Sequence, residues 1–431
     1  MWFNESVFYQ VCTLDFCGAP KSNDGICTNR IKRLTEFTDY YKDLGIGALY
    51  LNPIFESDSH GYDTKDYRLI DKRLGTNDDF KQVVRDIHSK GIKVVLDGVF
   101  NHVGRGFFAL EDVRINRENS KYKDWFLIDF NRNSNYNDGF FYEGWEGHYE
   151  LVKLNLDNKE VQDYLLESIG MWIDEFDIDG LRLDVAYCLP TWFLAMIKDY
   201  TSKKKKDFFV LGEVLHDNAD YMMSEGKLDS ITDYPSYKGM WSSFNSLNMF
   251  EIAHTFNRNM NELYHDRNLL LFVDNHDVER IATKLTNPKH LPLIYGFMLA
   301  CKGIPCIYYG SEWGQEGAKV EGSDDSLRPE YTKPLPNELT KYIKKLIACR
   351  NESKALQMGE FKQLHLNNKQ YIFERVIDSE RVIVALNIDE NECHIDFNAN
   401  AGEGIDLITG KKHDFGGGTD LAPYSIYYWK V

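Results

Sequence analysis

The sequence predicts an α/β protein, a (β/α)8 barrel with a short inserted lobe after its third strand and a C-terminal antiparallel β-sandwich domain. Three observations predict this fold. Short β-rich runs alternate with amphipathic helical stretches, the alternation stops once between residues 102 and 155, and it ends near residue 356. Alternating strands and helices are typical of parallel βα units. A chain of 431 residues is also long enough for one large barrel and a smaller companion domain.

Eight short apolar segments are predicted to be the barrel strands, and most are followed by helical periodicity. These segments are residues 7–13, 48–54, 93–100, 180–185, 208–213, 230–234, 269–273 and 306–309. The predicted helices between them cover residues 30–43, 78–89, 160–176, 191–200 and 291–301. A further helix over residues 338–350 follows Asn337, a residue type that caps helix N-termini.

The interruption after the third strand predicts an inserted lobe, because a segment of about fifty residues is long for a simple loop. Further strands, separated by Gly, Asn and Asp turns, predict the C-terminal β domain. They are residues 371–376, 381–386, 393–397 and 425–430. The predicted domain boundaries are therefore 1–102 and 158–355 for the barrel, 103–157 for the lobe and 356–431 for the C-terminal domain.

Composition and charge argue against several classes of protein. A formal net charge of −17 disfavours binding to nucleic acid or to an anionic membrane surface. The chain has no apolar run of about 18 residues, so no membrane helix is predicted. The N-terminal segment lacks the features of a signal peptide, and we therefore expect a cytoplasmic protein. The eight cysteines form no CxxC pair, so neither a zinc site nor a disulfide framework is predicted.

Four predicted strands end in polar and charged residues. In a βα barrel the C-terminal ends of the strands meet at one mouth. Any one of these side chains could have a purely structural role, such as capping a helix or pairing with an arginine. Together they would place crowded, partly desolvated charge at one rim, which is costly unless it has a function. The residues are Asp97, Asn101, His102, Arg182, Asp184, Glu213, His276 and Asp277.

Glycoside hydrolysis suits this set of residues. The reaction needs one carboxylic acid to protonate the leaving oxygen and a second carboxylate on the opposite side of the anomeric carbon. Its cationic transition state is stabilised by surplus negative charge. Arg182 precedes Asp184 by two residues, so both side chains share one face of a strand and the guanidinium can orient the carboxylate. No His spacing typical of a metal site is present, and no catalytic metal is predicted.

Across nearly the whole chain, the sequence resembles the α-amylase family of glycoside hydrolases. Beside the four strand ends, the motifs that carry the resemblance are His-Gly-Tyr-Asp-Thr-Lys-Asp-Tyr at 60–67, Leu-Asn-Leu-Asp at 154–157 and Gly-Ile-Pro-Cys-Ile-Tyr-Tyr-Gly at 303–310. Each motif is weak alone, but the ordered set is specific. Segments 182–186 and 213–217 are most similar to the branch of neopullulanases, cyclomaltodextrinases and maltogenic amylases.

The resemblance implies a role for each matching position. Asp184 would be the nucleophile that forms a covalent glycosyl-enzyme, Glu213 the acid and base, and Asp277 a ligand of the sugar hydroxyls that favours the distorted ring. Tyr62 would stack beneath that sugar. The other implied substrate-binding residues are His102, Arg182, His276, Asp324 and Arg328, and the implied structural residues are Asp97 and Asn101.

The resemblance also implies a substrate, namely short maltooligosaccharides or related α-glucans cleaved mainly at α-1,4 bonds. Ser59 stands where exo-acting α-1,6-glucosidases often carry Asp, which favours α-1,4 cleavage. Asp184 is not followed by the Lys-His pair of many calcium-binding amylases. We therefore expect no required cofactor, with structural calcium possible but not favoured.

Several alternatives stay open. A transglycosylase or isomerising enzyme would use the same intermediate, and a non-enzymatic scaffold on the same fold would have lost the carboxylates that this chain keeps. The related branch usually has an additional N-terminal β domain, whose dimer contacts are not expected here, so the oligomeric state is not predicted. The aromatic residues of the lobe form either a sugar platform or, as the favoured interpretation, the lobe core. They are Phe140, Phe141, Tyr142 and Trp145.

Overall fold

The computed structural model describes residues 1–216 and 219–431. Asp217, the last residue of segment 213–217, which resembles the neopullulanase branch, therefore lies outside the described residues. Eight parallel strands form the barrel in the order β6-β5-β4-β3-β2-β1-β8-β7. A parallel bridge between Thr232 and Leu270 joins the two outer strands and closes the ring. The strands are β1 Phe8–Val11, β2 Ala48–Leu51, β3 Lys93–Gly98, β4 Gly180–Leu183, β5 Phe209–Gly212, β6 Ser230–Ile231, β7 Leu270–Leu271 and β8 Ile304–Tyr308.

This arrangement confirms the predicted (β/α)8 barrel, and each predicted strand overlaps an observed one. The observed strands are mostly shorter, because the polar residues after them turn away toward the barrel mouth. Asp184 and Glu213 follow β4 and β5 directly, and their N–H groups still donate to Gly98 and Leu183 at 3.0 Å. The catalytic end of the barrel is therefore fixed by backbone hydrogen bonds up to the candidate carboxyls themselves.

Helices surround the barrel and pack their apolar faces on it. The helix predicted over 30–43 is interrupted at Phe37, whose buried ring packs edge-on against Phe16 at 4.9 Å. The predicted Asn337 cap is confirmed, because its side chain accepts the N–H of Thr340. The longer helices are Thr38–Leu44, Asn77–Ser89, Lys159–Phe176, Thr191–Lys204, Tyr234–Ser246, Phe250–Asn257, Leu291–Ala300 and Glu338–Glu352.

Two small antiparallel sheets and the helix Phe108–Asn116 form the lobe after β3. One sheet joins His102–Gly104, His148–Lys153 and Gly144–Trp145, and the other joins Ile128–Asp129 to Phe141–Tyr142. A separate hairpin of Phe55–Ser57 and Thr64–Ile70 follows β2. The lobe sheet begins at His102, so the lobe is continuous with the barrel mouth.

Eight further strands form the C-terminal domain as two antiparallel layers. Six of them make one sheet in the order β9-β10-β11-β16-β13-β14, and β12 pairs with β15. Ile372, Ile383 and Trp429 are among the residues buried between the layers, whereas Tyr371 and Phe373 belong to the core shared with the barrel. The strands are β9 Glu360–Leu366, β10 Gln370–Ile377, β11 Glu380–Asn387, β12 Cys393–Ile395, β13 Glu403–Asp406, β14 Lys412–Asp414, β15 Thr419–Leu421 and β16 Ser425–Lys430.

Two buried arginines bind the end of helix Leu291–Ala300, next to the seam between the barrel and the C-terminal domain. Arg350 donates to the carbonyls of Leu299, Cys301 and Gly303, and Arg375 on β10 donates to that of Ala300 at 2.8 Å. These acceptors lie at and just after the end of helix Leu291–Ala300, where carbonyl groups lack partners within the helix. Both guanidinium groups therefore satisfy the helix end, and Arg375 joins the C-terminal domain to the barrel.

Candidate active site

A cavity of about 870 Å3 opens at the C-terminal ends of the barrel strands. Its volume is typical of sites that bind a small molecule, which run from about 300 to 1,000 Å3. Eight of the predicted site residues line it, and Arg182, Asp97 and Asn101 are absent from the lining and buried. The eight are Tyr62, His102, Asp184, Glu213, His276, Asp277, Asp324 and Arg328.

Arg182 brings three carboxyl groups together at the floor of the cavity. Its Nη1 donates to Asp97 at 2.8 and 2.9 Å and to Asp184 Oδ1 at 2.8 Å, while Nη2 lies 2.7 Å from Glu213 Oε1. Arg182 pairs in register with Asp97 on the neighbouring strand and precedes Asp184 by two residues. Strand register and the two-residue alternation therefore aim all four groups into one place.

The charges of this cluster do not balance. Burial raises the pKa of Asp97, Asp184 and Glu213, and the positive charge of Arg182 opposes that rise at each of them. One guanidinium faces three buried carboxyls, so full ionisation would leave uncompensated negative charge away from water. The cluster therefore favours a protonated carboxyl over full ionisation.

A turn of the backbone after β4 joins the two carboxyls that face the cavity. The N–H of Val185 donates to Glu213 Oε2 at 2.8 Å. Val185 adopts the left-handed region with φ 39° and ψ 45°. A β-branched residue is unusual there, and such backbone strain costs about 1–3 kcal/mol. The residue next to Asp184 thus orients Glu213 through its main chain.

Asp277 lines the cavity next to Arg328. Arg328 Nη2 contacts Asp277 Oδ1 at 3.3 Å and Asp324 Oδ2 at 2.8 Å, and its Nε donates to the carbonyl of His276. Burial works to raise the pKa of Asp277, but His276 and Arg328 hold it below its ordinary value. Asp277 is therefore the carboxyl of the site that stays ionised most readily.

His276 belongs to a hydrogen-bonded chain that the sequence analysis missed in part. Gln10 donates its amide to His276 Nδ1 at 2.8 Å, so Nε2 carries the proton and faces Tyr62 Oη at 2.6 Å and Asp277 Oδ2 at 3.2 Å. Asn52 supports Tyr62 with a donated bond of 2.9 Å. The signal for Gln10 was a single amide within the buried apolar run of β1.

His102 presents a polar atom to the cavity without a partner. Asn101 donates to His102 Nδ1 at 3.2 Å, which leaves the proton on Nε2. Within the described residues that Nε2 has no hydrogen bond, and it lies 3.9 Å from Asp184 Oδ2. Burial lowers the pKa of both His102 and His276 to about 3, so both imidazoles are neutral at neutral pH.

The lobe supplies one wall of the cavity, and its aromatic residues divide between core and surface. Phe140 and Tyr142 are fully buried, as the favoured interpretation predicts. Trp145 is only partly buried, lines the cavity and stacks on His148 with ring centroids 5.5 Å apart. Phe140 and Tyr142 therefore belong to the lobe core, whereas Trp145 forms part of the cavity wall.

Two features of the described residues concern metals and membranes. Over residues 1–216 and 219–431, no group of three or more His, Cys, Asp or Glu side chains is arranged to hold a metal ion. No helix in those residues is long and apolar enough to cross a membrane.

Comparison with known protein families matches residues 21–355 to the family described as alpha amylase, catalytic domain. The chain belongs to the α-amylase family. Members of this family are glycoside hydrolases, so the chain is an enzyme of that class, and the family resemblance inferred from its motifs is confirmed.

Relatives within the α-amylase family come from the predicted branch. The chain is 33% identical to a cyclomaltodextrinase of Thermoanaerobacter pseudethanolicus, over 90% of this chain and 70% of that protein. It is 33% identical to an intracellular maltogenic amylase of Bacillus subtilis, over 85% of this chain and 63% of that protein. The chain therefore spans about two thirds of the length of these relatives.

A solved structure shares the whole architecture. The cyclic α-maltosyl-(1→6)-maltose hydrolase of Arthrobacter globiformis, in complex with cyclic α-maltosyl-(1→6)-maltose, matches with a TM-score of 0.86 and 25% identity. The match covers 100% of this chain and 99% of that one. The barrel, lobe and C-terminal sheets are thus an arrangement that this solved hydrolase shares.

Proposed function

We propose that the chain hydrolyses α-glucosidic bonds, mainly α-1,4, in short maltooligosaccharides or related α-glucans, with retention of configuration. The observation that carries this proposal is the contact of one guanidinium, Arg182, with Asp97, Asp184 and Glu213 beneath the cavity. The α-glucan substrate is supported by relatives named cyclomaltodextrinase and maltogenic amylase. The chemistry uses side chains and water, and needs no cofactor.

Asp184 is the proposed nucleophile. Its Oδ1 accepts the hydrogen bond from Arg182, which leaves Oδ2 on the side of His102 to attack the anomeric carbon. Retaining glycosidases hold their two carboxyls about 5–5.5 Å apart. The contact of Asp184 and Glu213 with neighbouring nitrogens of one guanidinium supports a short separation of this kind.

Glu213 is the proposed acid and then base. Burial and the negative charges of Asp277 and Asp97 raise its pKa, which favours the protonated form that an acid requires. When Asp184 becomes an ester, one negative charge leaves the cluster and the pKa of Glu213 falls. Glu213 can then accept the proton of the water that hydrolyses the ester, which completes the cycle.

The remaining residues of the cavity are proposed to hold the sugar at the cleaved bond. Asp277 offers an ionised acceptor, and the neutral imidazoles of His102 and His276 offer Nε2–H donors. Tyr62 offers its ring as a stacking surface, since it already lies parallel to His276 with an interplanar angle of 9°. Together these groups would fix the hydroxyls while the ring flattens toward the cationic transition state.

The proposal is tested with maltotriose and two variants. The first product released should be the α-anomer by NMR, and Asp184→Asn should lower kcat by about 1,000-fold or more. Glu213→Gln should lose much less activity on α-maltosyl fluoride than on maltotriose, because fluoride leaves without protonation. The exposed Asp43→Asn serves as the matched control, since Asp43 pairs only at the surface with Lys344.

Two results would contradict the proposal. Undiminished activity of Asp184→Asn, or release of the β-anomer, would remove the retaining mechanism. Products longer than maltotriose that outnumber glucose and maltose at high substrate would identify a transglycosylase instead of a hydrolase.

A further inference from the structure

A lysine bridge crosses the rim of the cavity between the loops that follow β1 and β8. Lys21 Nζ lies 2.6 Å from Asp15 Oδ1 and 2.7 Å from Asp325 Oδ1. All three residues line the cavity. Asp15 is itself oriented, because it accepts the thiol of Cys12 at 3.2 Å. The bridge is therefore part of the cavity wall.

Buried groups fix the backbone under Lys21. Arg73 is fully buried and paired with the equally buried Asp71 at 2.7 Å. The same guanidinium donates to the carbonyls of Pro20 and Lys21 at 2.8 and 3.3 Å. A charged side chain with its own counterion thus holds the main chain of a surface lysine in place.

The other partner of the bridge is anchored in the same way. Asp325 opens the short turn Asp325–Leu327, and the carbonyl of Leu327 accepts two bonds from the buried Arg280 at 3.1 and 2.7 Å. Exposed ion pairs between flexible side chains contribute little, because ordering the side chains opposes the attraction. Here the two backbones are already ordered, so the cost of forming the bridge is confined to its side chains.

The chemistry of the site identifies which end of the cavity this bridge occupies. Glu213 is the proposed donor to the leaving oxygen, so the leaving sugar lies next to Glu213. Asp277 and His276 are proposed to hold the sugar at the cleaved bond, which belongs to the transferred part of the substrate, the glycone, and Arg328 contacts both residues. Asp325 follows Asp324, the other partner of Arg328. The bridge therefore stands at the glycone end.

We infer that the Asp15–Lys21–Asp325 bridge closes the glycone end of the cavity and limits the glycone to a short one, so that the enzyme cuts near the non-reducing end of its substrate. This inference rests on the proposed function. The ammonium of Lys21 contacts one carboxylate on each side of the rim, and a longer glucan would have to separate these groups to extend past Arg328.

The test uses maltohexaose carrying a fluorophore at its reducing end. Wild type should release short unlabelled sugars and leave long labelled remainders. Lys21→Met, which keeps the stem and removes the charge, should raise the share of short labelled products about twofold to fivefold, the range expected for an exposed pair. Asp325→Asn should shift the pattern in the same direction, because it breaks the same bridge from the other loop.

Two further variants control the experiment. Lys21→Arg retains the charge and should retain the wild-type pattern. Lys341→Met removes an exposed lysine paired with Glu338 at 2.6 Å, away from the cavity, and should change nothing. Short labelled products already dominant with wild type, or patterns of Lys21→Met and Asp325→Asn that match wild type, would overturn the inference. Failure of wild type to cleave maltohexaose at all would instead overturn the proposed function, and the inference with it.

Discussion

Arg182 in the candidate active site and Arg375 at the domain seam are both buried, yet their partners differ completely. Arg182 contacts three carboxyl groups. Within the described part of the chain, Arg375 donates to the main-chain carbonyls of Ala300, Leu356 and Gly359 and to no side chain. One guanidinium therefore sits among excess negative charge, and the other satisfies main-chain dipoles, including the end of a helix where a cation is favoured.

The two environments have opposite effects on the arginine. Burial alone disfavours both charges, but Asp97 and Glu213 raise the pKa of Arg182 well above its usual range. Burial lowers the pKa of Arg375 to about 9, with the nearby charge of Arg350 adding to the effect. Arg182 thus lies in a surplus of negative charge that suits a cationic transition state. Arg375 instead is a buried cation whose role is to pack and to donate to carbonyl groups.

The largest expected effect comes from removing the guanidinium of the active site. Arg182→Met should lower kcat/KM by about 100-fold to 10,000-fold, because Asp184 and Glu213 lose their common anchor. The three carboxyls would then bind protons more tightly in the folded state than in the unfolded state. Stability is consequently present below the ordinary carboxyl pKa and lost as pH rises, so the variant should unfold more easily at about pH 7.5 than at about pH 5.

Urea denaturation at the two pH values checks this, with wild type measured beside the variant. A loss of stability of equal size at both pH values would show that the charge imbalance of the cluster is not what Arg182 offsets.

The matching substitution at the domain seam, Arg375→Met, should lower the stability of the fold and leave kcat unchanged. Arg375→Met leaves buried carbonyls without donors and should lower the free energy of unfolding by about 2–4 kcal/mol. Below pH 8 the arginine is protonated in both states, since its folded pKa is about 9, so the loss should not depend on pH. Denaturation curves and kcat measured on the folded variant test both statements. A large fall in kcat at unchanged stability would erase the contrast with Arg182.

A smaller effect of opposite sign is expected from the nucleophile. Burial raises the folded pKa of Asp184, so its contribution to stability is lost as pH rises through that pKa. Asp184→Asn should therefore raise the free energy of unfolding by about 1 kcal/mol at neutral pH, with the gain shrinking toward the ordinary carboxyl pKa. Thermal unfolding of the inactive variant across this pH range measures it. A destabilised variant at every pH would mean that the bond to Arg182 outweighs the charge.

The smallest expected effect is a change in the pH dependence set by Glu213, the proposed acid. Burial raises the pKa of Glu213 first, and the negative charge of Asp97 adds to the rise. Asp97→Asn removes that charge and frees part of the Arg182 charge, so the alkaline limb of kcat/KM should move to lower pH. The pH profile of the residual activity is the measurement. A limb that stays in place would assign the acid to another residue.

Much of this contrast could be predicted from local sequence. The two-residue spacing placed Arg182 and Asp184 on one face, and the structure joins them at 2.8 Å. Barrel symmetry brought Asp97 and Glu213 to the same rim, since strand ends converge in any such barrel. The cap at Asn337 was equally local, because capping depends on residues three positions apart.

The rest depended on contacts between segments distant in the chain. An arginine in a sequence is expected at the surface, and nothing around Arg375 or Arg73 indicates a ring of buried carbonyls. The Lys21–Asp325 contact joins loops about three hundred residues apart in the chain, so no periodicity could reveal it. The sequence indicated the Gln10–His276 hydrogen bond only through an isolated amide side chain in an apolar strand.

The left-handed Val185 has a consequence for how this enzyme would respond to selection. The fold keeps a β-branched residue where Gly or Asn would sit without strain, and that same residue sets the direction of the proton donor. Laboratory evolution that selects only for heat resistance should favour substitutions of Val185, such as Gly or Asn, that relieve the backbone strain. Selection for turnover should instead retain Val185. Alternating selection for heat resistance and for turnover would show whether stability and catalysis compete at position 185.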